Sequence, residues 1–350
     1  MLVTENGNVA ASAVAPNGML ARGPLSEHLL TVLRGRPGSH PELADQARTA
    51  AQQATESLTD DDLQLSLYLL YELHYRGLAG VDERWEWHPD LVATAAALEE
   101  SLEESLRRLV AAALPESRPG PAEVPAALAR LVADDPSPSL SSYLARRGTR
   151  SQYGEFLMHR SIYHLREADP HSWVIPRLAG PPKCALVEIQ ADEYGGGRPE
   201  WMHANLFAAS MRGLGLRDDY GHFASAVPAV TLAWANTMSL FGLHRRLRGA
   251  AVGHLAALEM TSSLPNRRYG NGLRRLGLGP DTTRFFDEHI EADAVHEQIA
   301  AHDLAGALAV REPGLVDDIL FGAAAALAMD GLVATHLLSA WADGRSSMLC

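Results

Sequence analysis

Eight residues constrain the fold of this chain more than any others: His289-Ile290-Glu291-Ala292-Asp293-Ala294-Val295-His296. On a helix, positions four and seven apart share a face. His289, Asp293 and His296 therefore point the same way. Two imidazoles and a carboxylate converging from one helix suit a divalent first-row metal such as iron, manganese or zinc. Three ligands do not complete a coordination sphere. The chain must bring other helices against this one, and the question is which residues they carry.

Most segments after Leu25 show helical periodicity and little strand alternation, which predicts an all-α fold. A length of 350 residues with 47% hydrophobic content is ample for a sizeable core. Residues 1–24, rich in Gly, Ala, Asn and Pro, read as a disordered lead-in without the basic and apolar regions of a signal peptide. Residues 25–150 read as an N-terminal helical region and 151–350 as a helical bundle. Thr59 is the expected N-cap of a helix over 60–75. Three consecutive glycines at 195–197 must interrupt or end a helix. Residues 266–281 read as a Gly-rich turn region, and 313–342 as two closing helices.

The net charge of −13 argues against a nucleic-acid partner, which needs a basic patch. Two cysteines, Cys184 and Cys350, argue against disulfide scaffolding and thiolate metal sites. They fit a reduced, cytoplasmic setting. The apolar stretch 321–342 is broken by Asp330 and contains His336, so it reads as a buried helix and not a membrane span.

Further ligands come from three places. Glu259 lies in Ala256-Ala257-Leu258-Glu259-Met260, where an unpaired carboxylate would be expensive. His203 lies in the apolar run Trp201-Met202-His203-Ala204-Asn205-Leu206-Phe207. Acidic residues precede it in Glu188-Ile189-Gln190-Ala191-Asp192-Glu193. Carboxylates and imidazoles on facing helices are how bundles enclose two metals. Tyr71-Glu72-Leu73-His74-Tyr75 reads as aromatics buried against the bundle, and Glu155 with His159 as a surface pair.

This ordered set resembles the haem-oxygenase-like diiron oxidases and oxygenases, the iron-containing redox enzymes. Their motif is Glu, a short gap and His on one helix, Glu on a second, and His-x3-Asp-x2-His on a third. The resemblance covers roughly residues 150–345. It implies a haem-oxygenase-like helical bundle with an N-terminal helical extension. The implied ligands are Glu193, His203, Glu259, His289, Asp293 and His296, with Glu259 bridging. Nine residues separate Glu193 from His203 where many relatives have six, so Glu200 and Glu188 stand as alternatives to Glu193.

The resemblance further implies two Fe(II) ions, with manganese sharing their ligand preferences, and dioxygen as co-substrate. It implies a small amine or amino acid as substrate, N-oxygenation in a natural-product pathway, an external electron donor and a homodimer. Desaturation or C–C cleavage of an amino or fatty acid is the alternative chemistry. Two other readings compete: a non-catalytic bundle holding a small ligand or haem, and a thiaminase-like hydrolase. The second expects a catalytic cysteine, and Cys184 and Cys350 lie outside the ligand helices.

Overall fold

A computed structural model describes residues 20–349, with the side chains of residues 291–294 outside that description. Most of the expected lead-in falls on residues 1–19, also outside it. The described residues form helices and no strand, as the periodicity predicts. The first six helices are α1 (Pro24–Leu33), α2 (Glu42–Gln53), α3 (Asp61–Glu72), α4 (Pro89–Val110), α5 (Val124–Ala133) and α6 (Leu140–Arg147). The next six are α7 (Arg150–His164), α8 (Asp169–Ser172), α9 (Pro181–Glu193), α10 (His203–Gly213), α11 (Ala229–Leu243) and α12 (Arg248–Met260). The last four are α13 (Ser263–Arg275), α14 (Pro280–Gln298), α15 (Ala307–Arg311) and α16 (Val316–Ala342).

Buried apolar side chains from Leu25 on α1 to Trp341 on α16 form one continuous cluster. Helix α11 lies at its centre, with all but one of its residues buried. Helices α12 and α16 form the closest pair. A Cβ on Gly253 would overlap the Ile319 carbonyl oxygen, and one on Gly322 would overlap that of Ala250. The backbones touch because these positions carry no side chain.

The same logic explains two departures from the sequence expectation. Residues 266–281 are not a turn region, because most of them lie in α13. Gly272 serves close packing there, since a Cβ would meet the Tyr153 hydroxyl. Likewise 313–342 is not two helices: α16 runs unbroken through Gly322 and Gly331. A Cβ on Gly331 would meet the Ser137 side chain, so this glycine also answers to a neighbour and not to a bend.

Local capping corrects a third expectation. The N-cap of α3 is Asp60 and not Thr59; its carboxylate accepts from the amides of Asp62 and Leu63. Helix α14 continues into a π-helical segment, Ile299–Gly306, before α15. One helical stretch, Pro313–Ala342, is long and apolar enough to cross a membrane, and 67% of its most apolar window is buried inside the bundle.

Candidate metal centre

Four helices and one turn converge on the interior. Helix α9 ends at Glu193 and α10 begins at His203. Between them Gly195, Gly196 and Gly197 adopt φ of 70°, 59° and 78°, a left-handed path that glycine follows without strain. A Cβ on Gly195 would lie 2.6 Å from the Met202 amide nitrogen. The loop thus folds back on itself and brings His203 Nδ1 to 2.8 Å from Glu193 Oε2. Nine intervening residues do not separate the pair, because the glycines absorb them. The alternatives Glu188 and Glu200 are both exposed and fall outside the cluster, so Glu193 is the residue that joins His203.

Helix α12 supplies Glu259 and α14 supplies His289 and His296, each at most 7% exposed. His289 donates Nδ1–H to the Phe285 carbonyl oxygen at 2.8 Å. That bond fixes the tautomer and leaves Nε2 as the ligating atom. His296 is fixed from the other side: its Nε2 lies 3.0 Å from Asp192 Oδ2 and its Nδ1 lies 3.5 Å from Glu259 Oε2. Asp293 occupies the expected position on α14, but its side chain lies outside the described residues.

The sequence reading missed Glu167. It sits in the turn after α7, buried, with Oε1 at 2.8 Å from His164 Nδ1 and 3.6 Å from His289 Nε2. Burial opposes its ionisation, but His164 and His289 outweigh that and hold its carboxyl well below the ordinary range. Next to it, Ala168 has φ 74°, the sole non-glycine in the left-handed region among the described residues. Gln190 on α9 clamps this turn by donating to the Ala168 carbonyl and to Ser172 Oγ, both at 2.7 Å. The available signal is His164-x2-Glu167, a carboxylate three residues past the last helical histidine of α7.

Two groups of potential ligands result. Glu167, Glu193, His203 and His289 form one, and Glu193, Glu259 and His296 the other; within each group the ligand atoms lie within 4.8 Å of one another. Glu193 belongs to both. Glu193 is thus the carboxylate common to both groups, a place the resemblance assigned to Glu259.

Electrostatics favour a cation here. Burial lowers the pKa of His203, but Glu193 overcomes it and leaves the imidazolium favoured. Burial likewise opposes protonation of His296, yet Glu259 and Asp192 push its pKa up to about 9. Between α8 and α12, His171 and His254 pair at 3.2 Å; burial pushes His171 down to about 4 and His254 well below its ordinary value. The carboxylates of the site thus favour positive charge, and the His171–His254 pair supplies none.

The residues fit a metal on an observation of their own. Glu167 Oε2 is buried without a partner, and Glu193 Oε2, His203 Nδ1 and His296 Nδ1 are buried with ion-pair contacts inside the cluster that complete no well-aligned hydrogen bond. Such orphaned atoms cost stability unless something binds them. An all-N/O donor set suits iron or manganese better than a structural zinc. Phe207, Phe285, Phe286 and Leu255, all buried, pack beside the ligands.

Two other sequence motifs fall away from this centre. Tyr71 and Tyr75 pack and hydrogen-bond inside the bundle, to Glu99 and Ser239. Glu155 and His159 are not a surface pair. His159 is 1% exposed and bonds Thr231 and Ser347, and Glu155 accepts from Trp341, Ser346 and Ser347.

A buried carboxylate–imidazole centre in a helical bundle defines a class, and comparison with known proteins agrees with it. The chain belongs to the family of iron-containing redox enzymes, whose sequence pattern matches residues 154–331. It is similar to a nitrosourea synthase from Streptomyces achromogenes subsp. streptozoticus, with 27% identity over 161 residues. That stretch is 45% of this chain and 34% of the relative, so the match spans about a third of the relative's length.

Proposed function

We propose that this protein is a non-haem diiron oxygenase that uses dioxygen to oxidise a small amine or amino acid, by N-oxygenation, in a natural-product pathway. The observation that carries the reading is the pair of buried ligand groups sharing Glu193, with Glu167 Oε2 left without a partner beside them. The family supports iron. The relative's name supports the nitrogen chemistry, since a nitrosourea contains an oxidised nitrogen.

His203, His289, Glu167 and Glu193 would hold one iron, and His296, Glu259 and Glu193 the other, with Asp293 a further ligand by the family resemblance. Bound iron would supply the electrons that reduce dioxygen. The chain supplies the rest. Phe285 fixes His289 by accepting its Nδ1–H, and Asp192 fixes His296 by accepting its Nε2–H. Phe207 and Phe285 exclude water beside the ligands, which strengthens every electrostatic contact inside. A cavity of about 590 Å³ reaches Glu167, Glu193, Glu259 and His289, a volume within the range for small-molecule sites.

Purified protein given ferrous iron under nitrogen should take up about two equivalents. His289→Ala combined with His296→Ala should abolish that uptake. No uptake by the native chain, or unchanged uptake by the double variant, overturns the proposal.

A further inference from the structure

The cavity has a second end. Arg160 lies in its wall, on the same face of α7 as His164, one helical turn before it, while Glu167 lines the cavity from the turn after α7. It is 8% exposed. Its guanidinium stands 4.7 Å from the Trp234 ring centroid and 5.7 Å from that of Phe156. These rings flank it and hold it inside, and the Tyr269 hydroxyl meets part of its N–H edge, leaving the other N–H groups to act. Asp330 on α16 takes one corner, Nη2 to Oδ1 at 2.5 Å, and keeps a carboxylate 46% exposed.

An independent observation lies beside it. Trp234 lines the same cavity, and its indole N–H is buried without a hydrogen-bond partner. A buried donor without an acceptor is costly. Guanidinium and indole N–H together make a receptor for a carboxylate, and Asp330 adjoins it as a receptor for an ammonium. Nearer the metal ligands the polarity reverses. The Gln190 amide nitrogen is spent on Ala168 and Ser172, which leaves its Oε1 buried without a partner in the cavity wall.

We infer that Arg160, Trp234 and Asp330 form a subsite for the zwitterionic head of an α-amino acid, whose side chain, bearing an N–H donor, extends past Gln190 to the metal centre. This inference rests on the proposed function, since it takes the cavity to be the substrate site. Arg160 then binds the carboxylate, Asp330 the ammonium, and the side-chain terminus is what gets oxidised. A simple amine lacks the group that Arg160 and Trp234 need.

The test is calorimetric titration of the full chain, given ferrous iron and kept under nitrogen so that no turnover occurs. Matched probes are L-lysine with cadaverine, L-arginine with agmatine, and L-glutamine with 4-aminobutanamide. At least one amino acid should bind about tenfold or more tightly than its amine. Arg160→Met should bring the two within about twofold, Arg160→Lys should recover part of the difference, and Asp330→Asn should weaken the amino acid while sparing its deaminated analogue. Thermal melts show which variants fold; where Arg160→Met does not, Arg160→Lys and Asp330→Asn carry the test. Equal binding of acid and amine, an unchanged ratio in the Arg160 variants, or no binding by any probe overturns the subsite. Iron content measured in the same samples separates the two claims. Amino-acid discrimination without bound iron sinks the diiron reading alone, and bound iron without discrimination sinks the subsite alone.

Discussion

Arg166 and Glu167 are neighbours in sequence and belong to opposite kinds of buried charge. Arg166 pairs with Glu72 of α3, Nη1 to Oε1 at 2.8 Å, with both side chains fully buried. Glu72 Oε2 accepts from Tyr220 at 2.6 Å, and the Tyr75 ring lies 4.1 Å from the guanidinium carbon. Positive meets negative, and both carboxylate oxygens are occupied. One residue on, Glu167 joins three histidines and two further glutamates, and its own Oε2 stays without a partner. Burial alone does not distinguish these clusters. The difference is charge balance: the first sets a guanidinium on a carboxylate whose two oxygens are both bonded, although Arg166 Nε has no partner, whereas the second gathers three carboxylates around three imidazoles; it marks the first as structural support for the turn and the second as a receptor.

Substitution should separate them. Glu72→Ala leaves the Arg166 charge buried and uncompensated, which costs about 3–5 kcal/mol. Urea denaturation should show that loss, and replacing both partners by Met should recover much of it. A midpoint unchanged from wild type would dissolve the contrast. Glu193→Gln should behave in the opposite way. Iron affinity should fall by more than about 100-fold, beyond the range for outer-shell groups, while iron-free protein melts no lower than wild type. A Glu193 variant that unfolds as Glu72→Ala does would mean that both clusters are structural.

Much of this was legible in the sequence. His289 and His296 declare themselves by helical spacing, and Glu259 by sitting in an apolar run. Glu193 and His203 were legible as a pair, yet not as a geometry, because three glycines with positive φ erase the meaning of linear distance between them. Glu167 was hidden for a related reason. It lies beyond a helix end, where periodicity says nothing, and Gln190 and a strained Ala168 bring it inward. The glycines of α13 and α16 misled in the reverse sense. Sequence cannot tell a glycine that bends the chain from one that admits a neighbour.

Asp192 tests the receptor at its margin. It is largely exposed, yet it receives the Nε2–H of His296. Asp192→Asn should weaken iron binding about 10- to 100-fold with little change in fold. The pH dependence has a definite sign. Against burial, Glu259 and Asp192 push His296 up to about 9 in the folded chain, compared with about 6.5 unfolded. Its ion pairs therefore stabilise the iron-free protein fully below about pH 6.5 and cease to do so as pH rises through about 9. Iron needs the neutral ring, so its affinity should climb over that same window. Asp192→Asn should move the window to lower pH; a pH-independent affinity would remove His296 from the ligand set.

The smallest expected effect concerns the hinge between the two clusters. Ala168 holds a left-handed conformation that costs a non-glycine residue about 1–2 kcal/mol. Its carbonyl oxygen accepts from Gln190, so the strain is maintained by a contact and not by chance. Ala168→Gly should relieve part of it. The folded state should gain up to about 1 kcal/mol, reduced by glycine's greater freedom in the unfolded chain. Iron stoichiometry should not change, because the turn keeps its path. If the variant is instead destabilised and binds one equivalent, the methyl group itself packs the turn, and Glu167 is placed by Ala168 and not by the Arg166–Glu72 pair beside it.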